Sequence, residues 1–345
     1  MHWTVAAPFI NKSNLVDEVW LTPFVPGSRH RFDIIPRSVP LQNWHERKSK
    51  VTGFKDWLIY WQHGMEAIKA TEGGVITVFP QLPAVLGMQR RMTSKRIPIV
   101  AWLFNVGTCD PGMRRKFAQA SLRNIDYFIV HTRREREIYH QWLGIPIERF
   151  EFVPYHEKNI PINHQEITDY PFIAALGSAH RDFPTLFAAV ERLKLPTVVA
   201  SGKRALEGLT IPTNVKTPFG IGRQDCLRIA QEARINIVPL MPKEQVTAAG
   251  QVTIVEAMLM GRVLIASRCH GVEDYIIHGE TGLLVEPQSV DQLVEAIELL
   301  WNDHALRDRL GKAAQRYAQE HFSCEAVGAT LGRILDKVAD QVGIY

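Results

Sequence analysis

Residues 243–287 read KEQVTAAGQVTIVEAMLMGRVLIASRCHGVEDYIIHGETGLLVEP, and their order of loop, helix, strand and loop decides how the rest is read. The loop Thr247-Ala248-Ala249-Gly250-Gln251 carries no bulky side chain. It opens onto Thr253-Ile254-Val255-Glu256-Ala257-Met258-Leu259-Met260, whose later residues favour helix, and Gly261 follows as a stop. Such a helix presents unpartnered N–H groups at its start, where the aligned peptide dipoles favour negative charge. A phosphate is therefore expected on Gly250 and Gln251, next to Ala249, with the Thr253 hydroxyl as a further donor. Glu256 lies about one turn in, where a carboxylate can accept from the hydroxyls of a sugar. An ordinary loop-helix-strand unit with Glu256 in water fits the same letters.

Upstream, the pattern repeats. A strand at 171–176 leads into Gly177-Ser178-Ala179-His180-Arg181-Asp182, and a helix is expected at 184–193 with Pro184 in its first turn. Arg181 is the cation of this loop, able to grip phosphate in a bidentate fashion or to pair with Asp182. Thr197-Val198-Val199-Ala200-Ser201 is a strand reaching Gly202 and Lys203, and a short strand is expected within 214–220. A helix at 223–233 and a strand at 235–240 bring the chain to the opening stretch. Beyond it, helices are expected at 292–301, 306–321 and 326–342. Strand and helix in alternation argue for a doubly wound parallel sheet.

The first half follows the same rhythm less plainly. Trp3-Thr4-Val5-Ala6, Val19-Trp20-Leu21-Thr22 and Phe32-Asp33-Ile34-Ile35 look like strands. Trp57, Leu58, Tyr60, Trp61, Met65 and Ile68 recur at helical spacing and suggest a buried helix face. Buried parallel strands are expected at 75–79, 97–104 and 127–130. The second of these delivers Asn105 and the third His131, at carboxyl ends where open α/β sheets bind ligands. These two are the candidate catalytic residues. Thr132 with Glu135 fits a capping box for a helix at 133–143. The polar segment 160–169 reads as an interdomain linker.

The residues Glu256-Ala257-Met258, Gly261, Val263-Leu264-Ile265-Ala266 and the run from Gly271 to Pro287 resemble the donor-binding signature of retaining GT-B glycosyltransferases, group 1 or family 4-like. The likeness covers roughly 172–320 well and the first half in outline. It implies two Rossmann-like domains across a cleft: 1–160 for the acceptor and 161–345 for a nucleotide sugar, with a last helix near 326–342 crossing back. It also implies a hexosyltransferase-type enzyme that retains anomeric configuration and needs neither metal nor cofactor. The chain has no Asp-x-Asp triplet. In the family one glutamate contacts the transferred sugar and a second, eight residues later, holds the ribose. The second role passes to Glu256, but Ala248 stands at the first position, leaving Gln251, Glu244 or the loop backbone as substitutes. Of the family's diphosphate-binding loop, Gly177 matches, Ser178 replaces an arginine, and Arg181 stands near the lysine. Gly202 and Lys203 complete the expected donor set.

Composition narrows the classes. With 46% hydrophobic and 22% charged residues, the chain reads as globular, and no apolar run approaches the roughly 20 residues that span a bilayer. Its start, MHWTVAAPF, lacks the basic lead of a signal peptide, and Cys109, Cys226, Cys269 and Cys324 stand alone. A cytoplasmic protein with reduced thiols is expected. The first 165 residues hold 22 Lys and Arg against 14 Asp and Glu, the remainder 18 against 22. Basic clusters include Arg114-Arg115-Lys116, Arg47-Lys48 and Lys95-Arg96. They suit an anionic or lipid-linked acceptor and peripheral contact with a membrane's inner face, or simply coat solvated helices. No nucleic-acid motif accompanies them. Two rivals to transfer remain open: a degenerate GT-B binding module, motivated by Ala248 and Ser178, and an epimerase acting on the donor.

Overall fold

The computed structural model describes residues 1–11, 20–37, 52–92 and 97–342. Val19 and the basic pairs Arg47-Lys48 and Lys95-Arg96 lie outside them. The chain divides into two compact units, Met1–Val153 with the chain from Cys324 onward, and Pro154–Ser323.

In the first unit, strands β1 (His2–Ala6), β2 (Arg31–Ile34), β3 (Gly74–Val78), β4 (Ile99–Trp102), β5 (Tyr127–Val130) and β6 (Phe150–Phe152) form one parallel sheet. Its order is β2-β1-β3-β4-β5-β6. Helices α1 (Phe54–Ala70), α2 (Gln81–Arg90), α3 (Met113–Leu122) and α4 (Arg133–Leu143) belong to this unit, as does α11 (Cys324–Val342). Alternate strand residues feed two cores. Ala6, Ala101 and Phe128 pack with residues of α1 to α4, while Val5, Val100 and Ile129 pack with Val327, Leu331 and Leu335 of α11.

Two expectations change here. Trp20 and Leu21 are buried, yet among the described residues of this stretch there is no strand: Thr22–Phe24 is a 3-10 turn, and Pro23 has no N–H for a ladder. Leu58 leaves the expected stripe and is exposed, whereas Tyr60, His63, Ala67 and Ile68 are buried. Helix α2 occupies a stretch for which no element was expected.

In the second unit, strands β7 (Ile173–Leu176), β8 (Thr197–Ala200), β9 (Val215–Lys216), β10 (Ile235–Val238), β11 (Leu264–Ser267) and β12 (Leu283–Val285) form a second parallel sheet. Its order is β12-β11-β10-β7-β8-β9. Helices α5 (Phe183–Leu193), α6 (Lys203–Leu206), α7 (Arg223–Glu232), α8 (Gln251–Leu259), α9 (Val290–Asn302) and α10 (His304–His321) complete it. Ile173, Ala175 and Ile265 meet Phe187 of α5 and Ile297 of α9. Ala174, Leu176 and Ala266 meet Ala230 of α7, Val255 of α8 and Ala314 of α10. The strands read as continuous apolar runs because both faces are covered.

The segment 160–169 belongs to this second unit. Ile160 is buried in its core, and the N–H groups of Asn163 and His164 both donate to Gln231 Oε1 at 2.9 Å.

Candidate functional site

In the second sheet, β7 pairs with β10, Ile173 opposite Ile235 and Ala174 opposite Asn236, although they are far apart in sequence. Strand order reverses between them, and open sheets bind ligands in the crevice beyond the carboxyl ends at such a point. The loop after β7 and the chain after β10 are stitched together there. Asp182 N–H donates to Pro239 O at 3.0 Å and Met241 N–H to His180 O at 2.9 Å. Gly177 has φ +91°, and a Cβ on it would stand 2.5 Å from Arg181 Nη2. The glycine is needed twice, for its backbone and for the guanidinium folded over it.

Arg181 is half-buried and fully directed. Its Nε donates to Leu176 O at 3.0 Å, Nη1 to Ala179 O at 2.9 Å and Nη2 to Thr253 Oγ1 at 3.1 Å. Among the described residues no carboxylate pairs with it, and burial draws its pKa down to about 10, so it stays charged at neutral pH. Asp182 caps α5 instead of pairing with Arg181: it accepts from Thr185 N–H at 3.3 Å and from Thr185 Oγ1 at 2.7 Å. A half-buried cation bonded only to neutral oxygens has capacity left for an anion.

Helix α8 begins at Gly250, with φ +92° and no side-chain cap. Ile254 N–H is the donor that closes the first turn onto Gly250 O, so the amides before it point out of the helix. Thr253 and Glu256 lie three residues apart, on one face of α8. Arg181 and Glu256 are thereby brought to the same helix face through Thr253. The Glu256 carboxyl is mostly buried, and Arg223 donates to its Oε1 from Nη2 at 2.8 Å and Nε at 3.2 Å. Burial raises the Glu256 pKa and the Arg223 contact opposes that rise.

The remaining donor-loop residues divide. Gln251 is buried and donates from Nε2 to His270 O at 3.0 Å, which ties the start of α8 to the chain after β11. Ala248 and Ala249 are buried beside it. Ser178 Oγ accepts from Gly202 N–H at 2.7 Å and from Ser201 Oγ at 3.0 Å, joining the loops after β7 and β8. Lys203 begins α6 and sets its Nζ 5.8 Å from the Phe219 ring centre, where the cation stays in water. Among the described residues no three His, Cys, Asp or Glu side chains are grouped to hold a metal.

In the first unit, Asn105 and His131 do stand after β4 and β5. Asn105 Oδ1 accepts from Gly107 N–H at 2.7 Å. His131 is buried, with Nδ1 2.7 Å from Val153 O and its backbone N–H on Glu135 Oε2 at 2.9 Å. Sequence reasoning missed Arg223, Glu157 and Tyr155. The one local signal was a cation at the first position of α7, where the helix dipole disfavours positive charge.

Residues 200–317 match the family model for glycosyl transferases group 1. The chain is 32% identical over 87 residues to an alpha-D-kanosaminyltransferase of Streptomyces kanamyceticus, 25% of this chain and 22% of that one. It is 38% identical over 76 residues to a D-inositol 3-phosphate glycosyltransferase of Pseudarthrobacter chlorophenolicus, covering 22% and 18%. The matched stretch thus spans about a fifth of these relatives' length. Over the whole chain, the fold is similar to sucrose-phosphate synthase from Thermosynechococcus elongatus, with a TM-score of 0.71 at 17% identity over 99% of both chains. It is also similar to Anabaena HepE in complex with UDP-glucose, with a TM-score of 0.65 at 14% identity over 81% of this chain and 82% of that one. The fold is GT-B. The stretch that matches the family model lies within the second unit.

Proposed function

We propose that the chain is a glycosyltransferase that takes a sugar from a nucleoside diphosphate and passes it to an acceptor hydroxyl with retention of configuration. The observation that carries this is the Arg181 guanidinium, charged, free of any carboxylate among the described residues, and bonded to Thr253 on the first turn of α8. Glu256 follows one turn on. A diphosphate on Arg181 and the outward amides of α8 would leave the ribose hydroxyls within reach of Glu256. As the bond from the anomeric carbon to the diphosphate oxygen breaks, its electron pair moves onto the diphosphate. Fixed donors aimed at that charge stabilise the transition state more than the ground state. UDP complexes among GT-B neighbours support this donor class.

The first unit is the acceptor side in this reading, and a lipid-linked acceptor at an anionic membrane surface fits it best. Phe54 and Leu58 of α1 and Met113 and Phe117 of α3 are all exposed, and the Trp57 and Phe117 rings meet edge-on at 6.3 Å. Lys55 and Lys116 are exposed beside them. No helix among the described residues is long and apolar enough to cross a membrane.

The test is titration calorimetry with UDP, GDP, ADP and inorganic pyrophosphate, followed by incubation of labelled UDP-, GDP- and ADP-sugars with a membrane extract. Binding of one nucleotide with transfer of label to a lipid-extractable product is expected. Tight nucleotide binding without transfer or hydrolysis of any donor would remove the transferase reading. Free epimerised donor as the sole product would replace it with donor isomerisation.

A further inference from the structure

The Glu256 carboxylate is already engaged by a cation from a neighbouring helix. Arg223 reaches it from the first residue of α7, with Nη2 at 2.8 Å and Nε at 3.2 Å, both on Oε1. Oε2 has no hydrogen-bond partner among the described residues. The same Arg223 Nη2 stands 3.0 Å from Glu157 Oε2. Glu157 is held in turn: its N–H donates to Phe322 O at 3.2 Å, and the Tyr155 hydroxyl donates to its Oε2 at 3.3 Å. Tyr155 is itself fixed, its N–H on the Tyr275 hydroxyl at 2.8 Å. One guanidinium thus spans two carboxylates that are both mostly buried, while its own side chain is half exposed.

The placement runs against local preference. A cation at the positive end of α7 is unfavourable, and a lone carboxylate there would be the better choice. An Arg at this position is explained by what it reaches. Two acidic side chains brought this close repel each other, and the shared cation offsets that repulsion. Because the guanidinium takes Glu256 through one oxygen only, the carboxylate is fixed in rotation with its second oxygen available.

We infer that Arg223, braced by Glu157, is a positioning residue that holds Glu256 by Oε1 so that Oε2 accepts from the ribose hydroxyls of the donor. This rests on the second unit holding a nucleoside diphosphate. It assigns Arg223, Glu157 and Tyr155 to selection of ribose over deoxyribose, and leaves the diphosphate to Arg181 and the start of α8. The groups facing Glu256 are Arg223, Glu157, Tyr155 and, on α7, Cys226, whose thiol is pushed up by burial and then by Glu256. Arg223 is the cation among them, so its removal shifts Glu256 protonation to higher pH.

The experiment measures binding of UDP, GDP and ADP, their 2′-deoxy counterparts, and inorganic pyrophosphate to the whole protein and to R223A, R223K and E157Q. Wild type should prefer the ribonucleotide, and R223A should lose about tenfold of that affinity, as for a charge-assisted hydrogen bond left misaligned. Its deoxynucleotide and pyrophosphate affinities should change less than about twofold by the same reasoning. R223K should recover part of the preference, and ribonucleotide binding by R223A should weaken at a higher pH than in wild type. If R223A fails to fold, R223K and E157Q, each narrowing the ribose preference with pyrophosphate binding kept, carry the same test. An unchanged ribose preference in every variant overturns the inference while the donor site stands. Absence of both nucleotide and pyrophosphate binding in wild type removes the donor reading, and the inference with it.

Discussion

Arg181 Nη2 donates to Thr253 Oγ1 at 3.1 Å, tying the loop that leaves β7 to the first turn of the helix that follows β10. The two residues belong to the two strands between which the order of the sheet reverses. A cation on one and a helix start on the other meet at that switch point, and no carboxylate among the described residues pairs with the cation.

Arg181→Ala should therefore weaken pyrophosphate and nucleoside diphosphate binding together, by about 1.5–3 kcal/mol as for loss of a hydrogen-bonded charge. Arg181→Lys should keep the charge but forfeit the fork that reaches Leu176, Ala179 and Thr253 at once, and recover only part of the affinity. Calorimetry on both variants gives the answer. Equal affinities for wild type and R181A would place the diphosphate elsewhere.

Gly250→Ala tests the other half of the crevice. Alanine at φ +92° costs about 1 kcal/mol, and its Cβ would stand 3.1 Å from Val238 Cγ1 and 3.3 Å from Leu240 Cδ1. Either those side chains or the start of α8 must give by a few tenths of an ångström. A lower urea midpoint and weaker pyrophosphate binding are expected, while Gly279→Ala, with φ +79° and open space around its Cβ, should lower the midpoint and leave binding unchanged. A shift of pyrophosphate affinity in both variants would remove the link to α8.

Much of this architecture was legible from local letters. The capping box Thr132 and Glu135 set the start of α4, Arg133–Leu143, because a cap is written within four residues. Gly177, Gly250 and Glu256 were legible because loop and helix starts have strict chemistry. α2 was not anticipated; its Pro83 sits in the helix's first turn, where no N–H is needed. β12 was missed because three apolar residues inside a Gly-rich run give no period to count. The Arg223–Glu256–Glu157 contact joins positions far apart in sequence, and only the winding of the sheet brings them together.

The contact of His30 with Asp336 in the first unit should make its stability pH-dependent. Trp3 Nε1 donates to His30 Nδ1 at 3.1 Å, which leaves the proton on Nε2, 3.0 Å from Asp336 of α11. Burial lowers the His30 pKa, against the pull of Asp336. With the folded value below the unfolded one, stability is present above about 6.5 and is lost as pH falls through that window. His63, buried on α1 with its pKa also lowered, adds in the same direction. Urea midpoints from pH 8 to pH 5 should fall in wild type and fall less steeply in His30→Gln. Parallel slopes would remove His30 from that role.

A membrane surface is the last element to test, and the exposed side chains make it specific. Phe54 is 78% exposed, Leu58 54%, Met113 81% and Phe117 48%, an apolar group that a lone soluble unit has little reason to display. Lys55 and Lys116 are exposed on the same two helices, and Arg115 is held on the carbonyls of Gln141 and Trp142, with no carboxylate among the described residues taking its charge. Arg114 contributes less, being paired with Asp110 at 2.6 Å. Burying one such apolar side chain in a lipid interface contributes about 1.5–3 kcal/mol, and each nearby cation about 1 kcal/mol at an anionic surface. The protein should co-sediment with vesicles containing phosphatidylglycerol, weakly with pure phosphatidylcholine, and less as salt rises. F54S with M113S should lower that binding at least tenfold with nucleotide affinity intact, since neither residue belongs to the second unit. Equal sedimentation of wild type and the double variant would rule this face out as the lipid contact.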